Sequence, residues 1–373
     1  MVVAHFLKWK DTARVSERAV AAAALARAYV DNHLPFEDRC AAEAALTLLL
    51  DDPSAKVRLA MAEVLAMSRH APVQIIHALA CDQPEVAALV IARSPLLTDA
   101  DLIERVLSGR RDTLPLIAGR PAVSMELAAA VAEAADADAC IALLANSGAA
   151  IASLSFRRMV ELLGHVGPVR EALIRDPRLP ADCRHVLVLK LGQALTRAPF
   201  VVALMGEARA GRLLKEACTK ASMALIDAAR PEEYGALVAH LRMRGDLTAS
   251  FVVRTVAHGK VDFFGAVLVA LTGQAERQVG RLLAGGHDLA LSAIFRMAGL
   301  PDTVHAVLVR AIKAWRKVAN GDCIAGAQEV SWLMLETLGG KGAQGDLAAL
   351  LKSIHLEALR ENARSHALAI AAA

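Results

Sequence analysis

Aromatic residues make up only 3% of this 373-residue chain, and its six cysteines include no C-x-x-C pair. The first shortage argues against a β-sandwich, whose pleated faces draw on aromatic and β-branched side chains. The second excludes a disulfide framework or an iron–sulfur site built from clustered thiolates. Cys40, Cys81, Cys140, Cys183, Cys218 and Cys323 stand singly in apolar helical contexts and are expected to be buried, reduced thiols. Long apolar runs are missing too. The longest charge-free stretch, Ala139 to Phe156, is interrupted by Asn146, Ser147, Gly148, Ser153 and Ser155, whereas a spanning helix needs about 20 strongly apolar residues. The alanine-rich run from Ala19 to Ala26 follows Asp11 and Glu17 and ends at Arg27 without a cleavage-like site. A cytoplasmic chain with no transmembrane segment is the expectation.

What is present is aliphatic. Apolar residues reach 55%, mostly Ala, Leu and Val, which let helices approach closely and supply enough burial to exclude disorder over most of the length. A chain of this size forms two domains or one elongated array. The net charge of +3 hides an asymmetry. Residues 1–183 hold 19 Lys and Arg against 23 Asp and Glu, a net of −4, while residues 184–373 hold 23 against 16, a net of +7.

One short pattern recurs. Val64-Leu65-Ala66-Met67-Ser68-Arg69 is echoed by Val90-Ile91-Ala92-Arg93-Ser94-Pro95, Leu116-Ile117-Ala118-Gly119-Arg120-Pro121 and Leu143-Leu144-Ala145-Asn146-Ser147-Gly148. The anchoring alanines are separated by 26, 26 and 27 residues, and Ala172-Leu173-Ile174-Arg175-Asp176-Pro177 is a looser fifth copy. In each copy an apolar helix ends in a turn, and a second helix starts at an N-cap such as Thr98 or Ser124. Acidic or proline-bearing turns close the unit, as at Asp51-Asp52-Pro53 and Asp82-Gln83-Pro84. About 26 residues hold two short helices, neither able to bury its apolar face alone, so neighbouring copies must stack. The spacing therefore predicts an all-α chain with an α-solenoid over 37–180, preceded by a helical cap over 1–36 that includes Trp9. The stretch from Asp51-Asp52-Pro53 through Val57-Arg58 to Ala60 resembles the Asp-x-Pro…Val-Arg core of HEAT-type repeats, and the short period resembles the bacterial leucine-rich-repeat-variant solenoids. Some of those carry an iron–sulfur cluster; the cysteine set for it is absent here, and no cofactor is implied.

Beyond Pro180 the 26-residue phase is lost. Helical spacing covers Val201 to Leu225, Glu232 to Met243, Leu247 to His258, Phe263 to Leu271, Thr303 to Val318 and Ala325 to Leu338, which predicts a C-terminal all-helical domain over 181–373. Gly259-Lys260-Val261-Asp262-Phe263-Phe264, Leu271-Thr272-Gly273 and Ala298-Gly299-Leu300-Pro301 resemble the C-terminal part of a bacterial family of HEAT-like proteins classed as a domain of unknown function. That resemblance implies an all-helical fold and a bacterial origin, and no activity.

Recognisable catalytic chemistry is lacking. There is no G-x-S-x-G elbow, and Gly339-Gly340-Lys341-Gly342 lacks phosphate-loop spacing and follows a helix. His77 and Cys81 share a helix face with His70 one step back, but no carboxylate completes a metal set. A non-enzymatic scaffold that binds a partner protein or peptide along the solenoid surface is the reading these residues favour. The candidate partner-binding residues are basic: Arg209, Arg212 and Lys215 on one helix, and Lys313, Arg316 and Lys317 beside Trp315. The same helices carry the alternative, a nucleic-acid contact, which the acidic N-terminal half disfavours. Oligomeric state stays open.

Overall fold

The computed structural model describes residues 9, 12–31, 33–339 and 345–372; Phe6, Lys8, Lys10, Gly340, Lys341 and Gly342 lie outside them. Among the described residues the chain is all-α, with 22 α-helices and no strand. It divides into two compact units, Met1–Leu179 and Pro180–Ala373.

The first unit holds α1 (Val15–Val30), α2 (Phe36–Leu50), α3 (Ala55–Leu65), α4 (Val73–Ala80), α5 (Pro84–Arg93), α6 (Asp99–Leu107), α7 (Leu114–Ala118), α8 (Met125–Glu133), α9 (Ala137–Ala145), α10 (Ser153–Leu163) and α11 (Gly167–Arg175). From α3 onward none exceeds 11 residues, a length at which an isolated helix is marginal in water. Packing supplies the rest. The odd-numbered helices contact in an unbroken series from α1 to α11; among the even ones, α2 packs on α4, α6 on α8 and α8 on α10. The residue preceding each anchoring alanine is buried every time: Leu65, Ile91, Ile117 and Leu144. The alanines themselves vary, since Ala66 and Ala118 are buried but Ala92 is half-buried and Ala145 exposed. The repeated feature is thus the apolar residue before the alanine. Thr98 and Ser124 cap their helices as expected, accepting from the Asp101 and Leu127 amides at 3.3 and 3.1 Å.

Short helices with buried ends leave carbonyls that need donors. Three successive turns meet this need in the same way. The guanidinium of Arg120, just past α7, donates to the Ile91 and Ser94 carbonyls at the end of α5. Asn146, just past α9, donates to Ala118 and Arg120 carbonyls at 2.8 and 2.7 Å. Arg178, past α11, donates to Leu144 and Ala149 carbonyls, both at 3.0 Å. Each latch reaches back one repeat.

At the other end of the odd helices the bond is ionic. Arg18 of α1 pairs with Asp52 ahead of α3 at 2.8 Å, and Arg58 of α3 pairs with Asp82 ahead of α5, with Nη2 2.8 Å from Oδ1. Arg58 also donates to the Asp52 carbonyl. Asp52 and Arg58 both belong to the Asp51-Asp52-Pro53 to Val57-Arg58 stretch of the sequence.

The second unit holds α12 (Ala181–Arg197), α13 (Pro199–Met205), α14 (Glu207–Ala228), α15 (Tyr234–Arg244), α16 (Ala249–Ala257), α17 (Val261–Thr272), α18 (Glu276–Gly285), α19 (Asp288–Met297), α20 (Asp302–Ala319), α21 (Ala327–Thr337) and α22 (Asp346–Ala372). The apolar spacing from Val201 to Leu225 predicts one helix, but Gly206, at φ +73°, breaks it into α13 and α14. A side chain strongly disfavours that left-handed backbone, and glycine accepts it. The core lies around α16, six of whose nine residues are buried, and it packs on α17, α20, α21 and α22. Phe263, Phe264 and Phe295 are buried in it, with the Phe264 and Phe295 rings 5.7 Å apart. The cysteines differ from expectation: Cys140 and Cys183 are buried, whereas Cys40, Cys81 and Cys323 are exposed, because a small side chain is tolerated on the outer face of a helix or in a turn.

Replacing Arg120 by Met keeps the apolar stem and removes the donors from two buried carbonyls. The expected cost is about 3 kcal/mol in urea unfolding of the whole chain. Arg158→Ala, which removes an exposed pair with Glu133, serves as the control and leaves the transition in place.

Candidate functional site

In the second unit, α15, α17, α18 and α20 enclose a groove of about 880 Å³. Its walls are built from small residues: Gly265, Ala266 and Ala270 on α17 face Gly280 and Ala284 on α18. Val279, Leu283, Ile312 and Trp315 contribute the apolar floor, and Tyr234 closes one side. Three carboxylates, Glu232, Asp262 and Glu276, belong to the lining, and Asp262 and Glu276 are exposed. The gap between α17 and α18 follows from composition. Residues without long side chains sit where two neighbouring helices would otherwise interdigitate.

Trp315 is held by two constraints. Its indole Nε1 donates to the Val256 carbonyl at 2.7 Å. Its ring also lies 3.1 Å from the place a Cβ would take at Gly259, which sits at φ +78°. Arg316 donates to the Leu282, Leu283 and Gly286 carbonyls at 2.7, 2.6 and 2.9 Å, and so caps the end of α18. Burial pulls this guanidinium below its ordinary pKa, and Asp288 opposes the shift. Burial pushes the Tyr234 hydroxyl above its ordinary pKa, with Asp262 and Asp227 adding to it, so it remains a neutral donor.

Of the seven residues the sequence singles out, the structure brings Trp315 and Arg316 together in the groove lining. Lys313 is exposed and pairs with Asp288 at 2.7 Å, and Lys317 is exposed. Arg209, Arg212 and Lys215 are exposed on α14 and do not line the groove. The lining residues that sequence reasoning missed are the small ones. Gly265, Gly280, Ala266 and Ala270 lie inside apolar helices, where a small residue reads as ordinary packing. A second recess, of about 420 Å³, lies between α21 and α22, beside Trp332 and His355.

A different constellation lies buried between α12, α14 and α15. His185 Nε2 is 2.9 Å from Ser222 Oγ, and its Nδ1 is 3.2 Å from His240 Nε2. Ser222 Oγ donates to the Cys218 carbonyl at 2.8 Å. With the hydroxyl proton on that carbonyl, the network assigns the donor role toward Ser222 to Nε2 of His185 and the acceptor role toward His240 to its Nδ1. Burial, reinforced by His240, lowers the His185 pKa to about 4.

Between pH 6.5 and about 4 the unfolded chain binds a proton at His185 that the folded chain refuses, so stability falls as pH drops through that window. The full loss is on the order of 3 kcal/mol. His185→Gln is expected to lower stability at pH 7.5 yet flatten its decline between pH 6.5 and 4.5, read from urea midpoints. At the groove, Gly259→Ala is expected to shift the Trp315 emission and lower the melting temperature, because the new Cβ meets both a strained backbone and the indole.

No curated protein and no solved structure matches this chain. A family model does, over residues 86–348, a span that contains the whole groove and most of the repeat copies. The chain belongs to that family, DUF2336, the uncharacterised proteins conserved in bacteria.

Proposed function

We propose that this protein is a cytoplasmic, non-enzymatic interaction scaffold whose second unit binds an amphipathic helix of a partner protein. The observation that carries the reading is the groove itself. Its apolar floor and glycine–alanine walls suit the close approach of a helix, as in other helix-in-groove recognition. The carboxylates Glu232, Asp262 and Glu276 favour a segment that carries Lys or Arg beside its apolar face. The lining holds no Ser, Cys or His to act as nucleophile or base, which fits binding better than chemistry. Trp315, fixed from below by Val256, offers a rigid aromatic anchor of the kind that dominates interface energies.

The first unit fits the role of a HEAT-like α-solenoid. Support comes from the 26-residue spacing, the unbroken contacts between odd-numbered helices and the repeated latches at Arg120, Asn146 and Arg178. Such a stack gives a rigid frame and a surface on which further partners can lie.

Selection of displayed peptides on the full chain tests the groove. Enriched sequences are expected to place apolar residues at i, i+3, i+4 and i+7 with flanking Lys or Arg, and to change the Trp315 emission on binding. Gly280→Trp, which fills the gap from an exposed position, is expected to abolish their binding while the melting temperature holds. Peptides that bind the filled variant equally well would refute the assignment.

A further inference from the structure

The tip formed by α12, α13 and α14 carries an exposed apolar surface that the groove reading does not use. The chain bends by 66° between α12 and α13, then turns at Gly206 into α14, which packs back along α12. Gly192 of α12 lies directly against the Leu214 side chain of α14, so the two long helices are held close. On α13 not one residue is buried. Phe200 is 73% exposed and Leu204 65%, and Leu195 and Leu213 extend the apolar surface onto the flanking helices.

The charge around this tip has one dominant sign. Arg197, Arg209, Arg212, Lys215 and Lys220 are all exposed, against Glu207 and Glu216. We propose that the tip docks on an anionic lipid bilayer, with Phe200 and Leu204 in the headgroup–acyl boundary and the basic side chains on lipid phosphates. Phe200 and Leu204 are exposed while Val201, Val202 and Met205 of the same helix are half-buried, and a one-sided apolar face of this kind is what an interfacial helix sinks into the headgroup–acyl boundary. Nucleic acid would use the same cations but gain little from exposed leucines, since its recognition rests on phosphate contacts, base edges and aromatic stacking. Neither signal suffices alone. A few inserted side chains give weak, reversible binding, and a basic cluster adds several-fold for each cation near an anionic surface. Together α12 and α13 have the length and apolarity of a membrane segment, but the 66° bend separates them, and no single described helix is long and apolar enough to cross a bilayer. Lying in the interface is the geometry that suits such a pair.

Flotation of the full chain with vesicles tests the proposal. Vesicles of equal parts phosphatidylcholine and phosphatidylglycerol are expected to carry the protein upward at low salt, and phosphatidylcholine alone is not. Phe200→Asp and Leu204→Asp are each expected to cut the bound fraction constant at least about tenfold. The double change Arg209→Glu with Arg212→Glu is expected to do the same and to flatten the salt dependence. All four side chains are exposed, so circular dichroism and the melting temperature should not move. Phe200→Trp keeps binding and reports it by a blue shift with anionic vesicles. The proposal is overturned by any of three results: no flotation with anionic vesicles, flotation indifferent to Phe200→Asp, or a basic surface that binds duplex DNA while vesicles remain unbound. Loss of peptide binding at the groove has no bearing on any of these outcomes.

Discussion

A helix that ends inside a protein must find donors for its last carbonyls, and in this chain side chains from a distant turn supply them. Arg120, Asn146 and Arg178 do so in the first unit, each reaching one repeat back. Arg316 does so in the second unit, where it caps α18 across more than 30 residues of sequence. The helices are too short to be stable alone and too closely stacked for water to solvate their ends. The donor must therefore come from the neighbour, and the chain length between copies is fixed by that demand. Periodicity in the sequence is the visible trace of this constraint. The Asp–Arg pairs at Arg18–Asp52 and Arg58–Asp82 apply a related solution at the opposite helix ends, with the charge of the acid also held by turn amides such as that of Ser54.

Much of this is legible in the sequence. The anchoring pattern located the turns, and Thr98 and Ser124 marked helix starts, because capping is a local interaction decided within four residues. The division of the latch between Arg120 and Asn146 was not legible. Their partners lie 26 to 29 residues away, and nothing local distinguishes a buried guanidinium from a solvated one. The same limit explains the basic cluster near Trp315. Three cations in one stretch read as a surface, yet Arg316 turned inward to α18 and only Lys313 and Lys317 stayed in water. The break at Gly206 was hidden for a different reason, since apolar spacing runs through it on both sides and only the backbone conformation reveals the turn.

The His185 cluster brings together residue types that catalysis also uses, and joins three helices with them. With the Ser222 hydroxyl donating to the carbonyl one turn back, the histidine is the donor to Ser222. A buried neutral histidine then ties three helices together at the base of the α12–α14 pair, at the cost of sensitivity to acid.

Charge separates the two exposed features of the second unit. The groove pairs an apolar floor with carboxylates, and the α13 tip pairs apolar side chains with arginine and lysine. A ligand complementary to one is repelled by the other. An amphipathic helix rich in lysine is drawn to Glu232, Asp262 and Glu276 and kept from Arg209 and Arg212, while an anionic surface has the opposite preference. Under the two proposals, this opposition keeps the groove's ligand and the tip's from competing. It also explains why net charge alone is a poor guide here. The +7 of the C-terminal half is a sum over a basic tip, an acidic groove and cations such as Arg316 that are already committed to helix carbonyls. Only the residues left facing solvent in one place act on a partner, and those are set by which helix ends needed a donor.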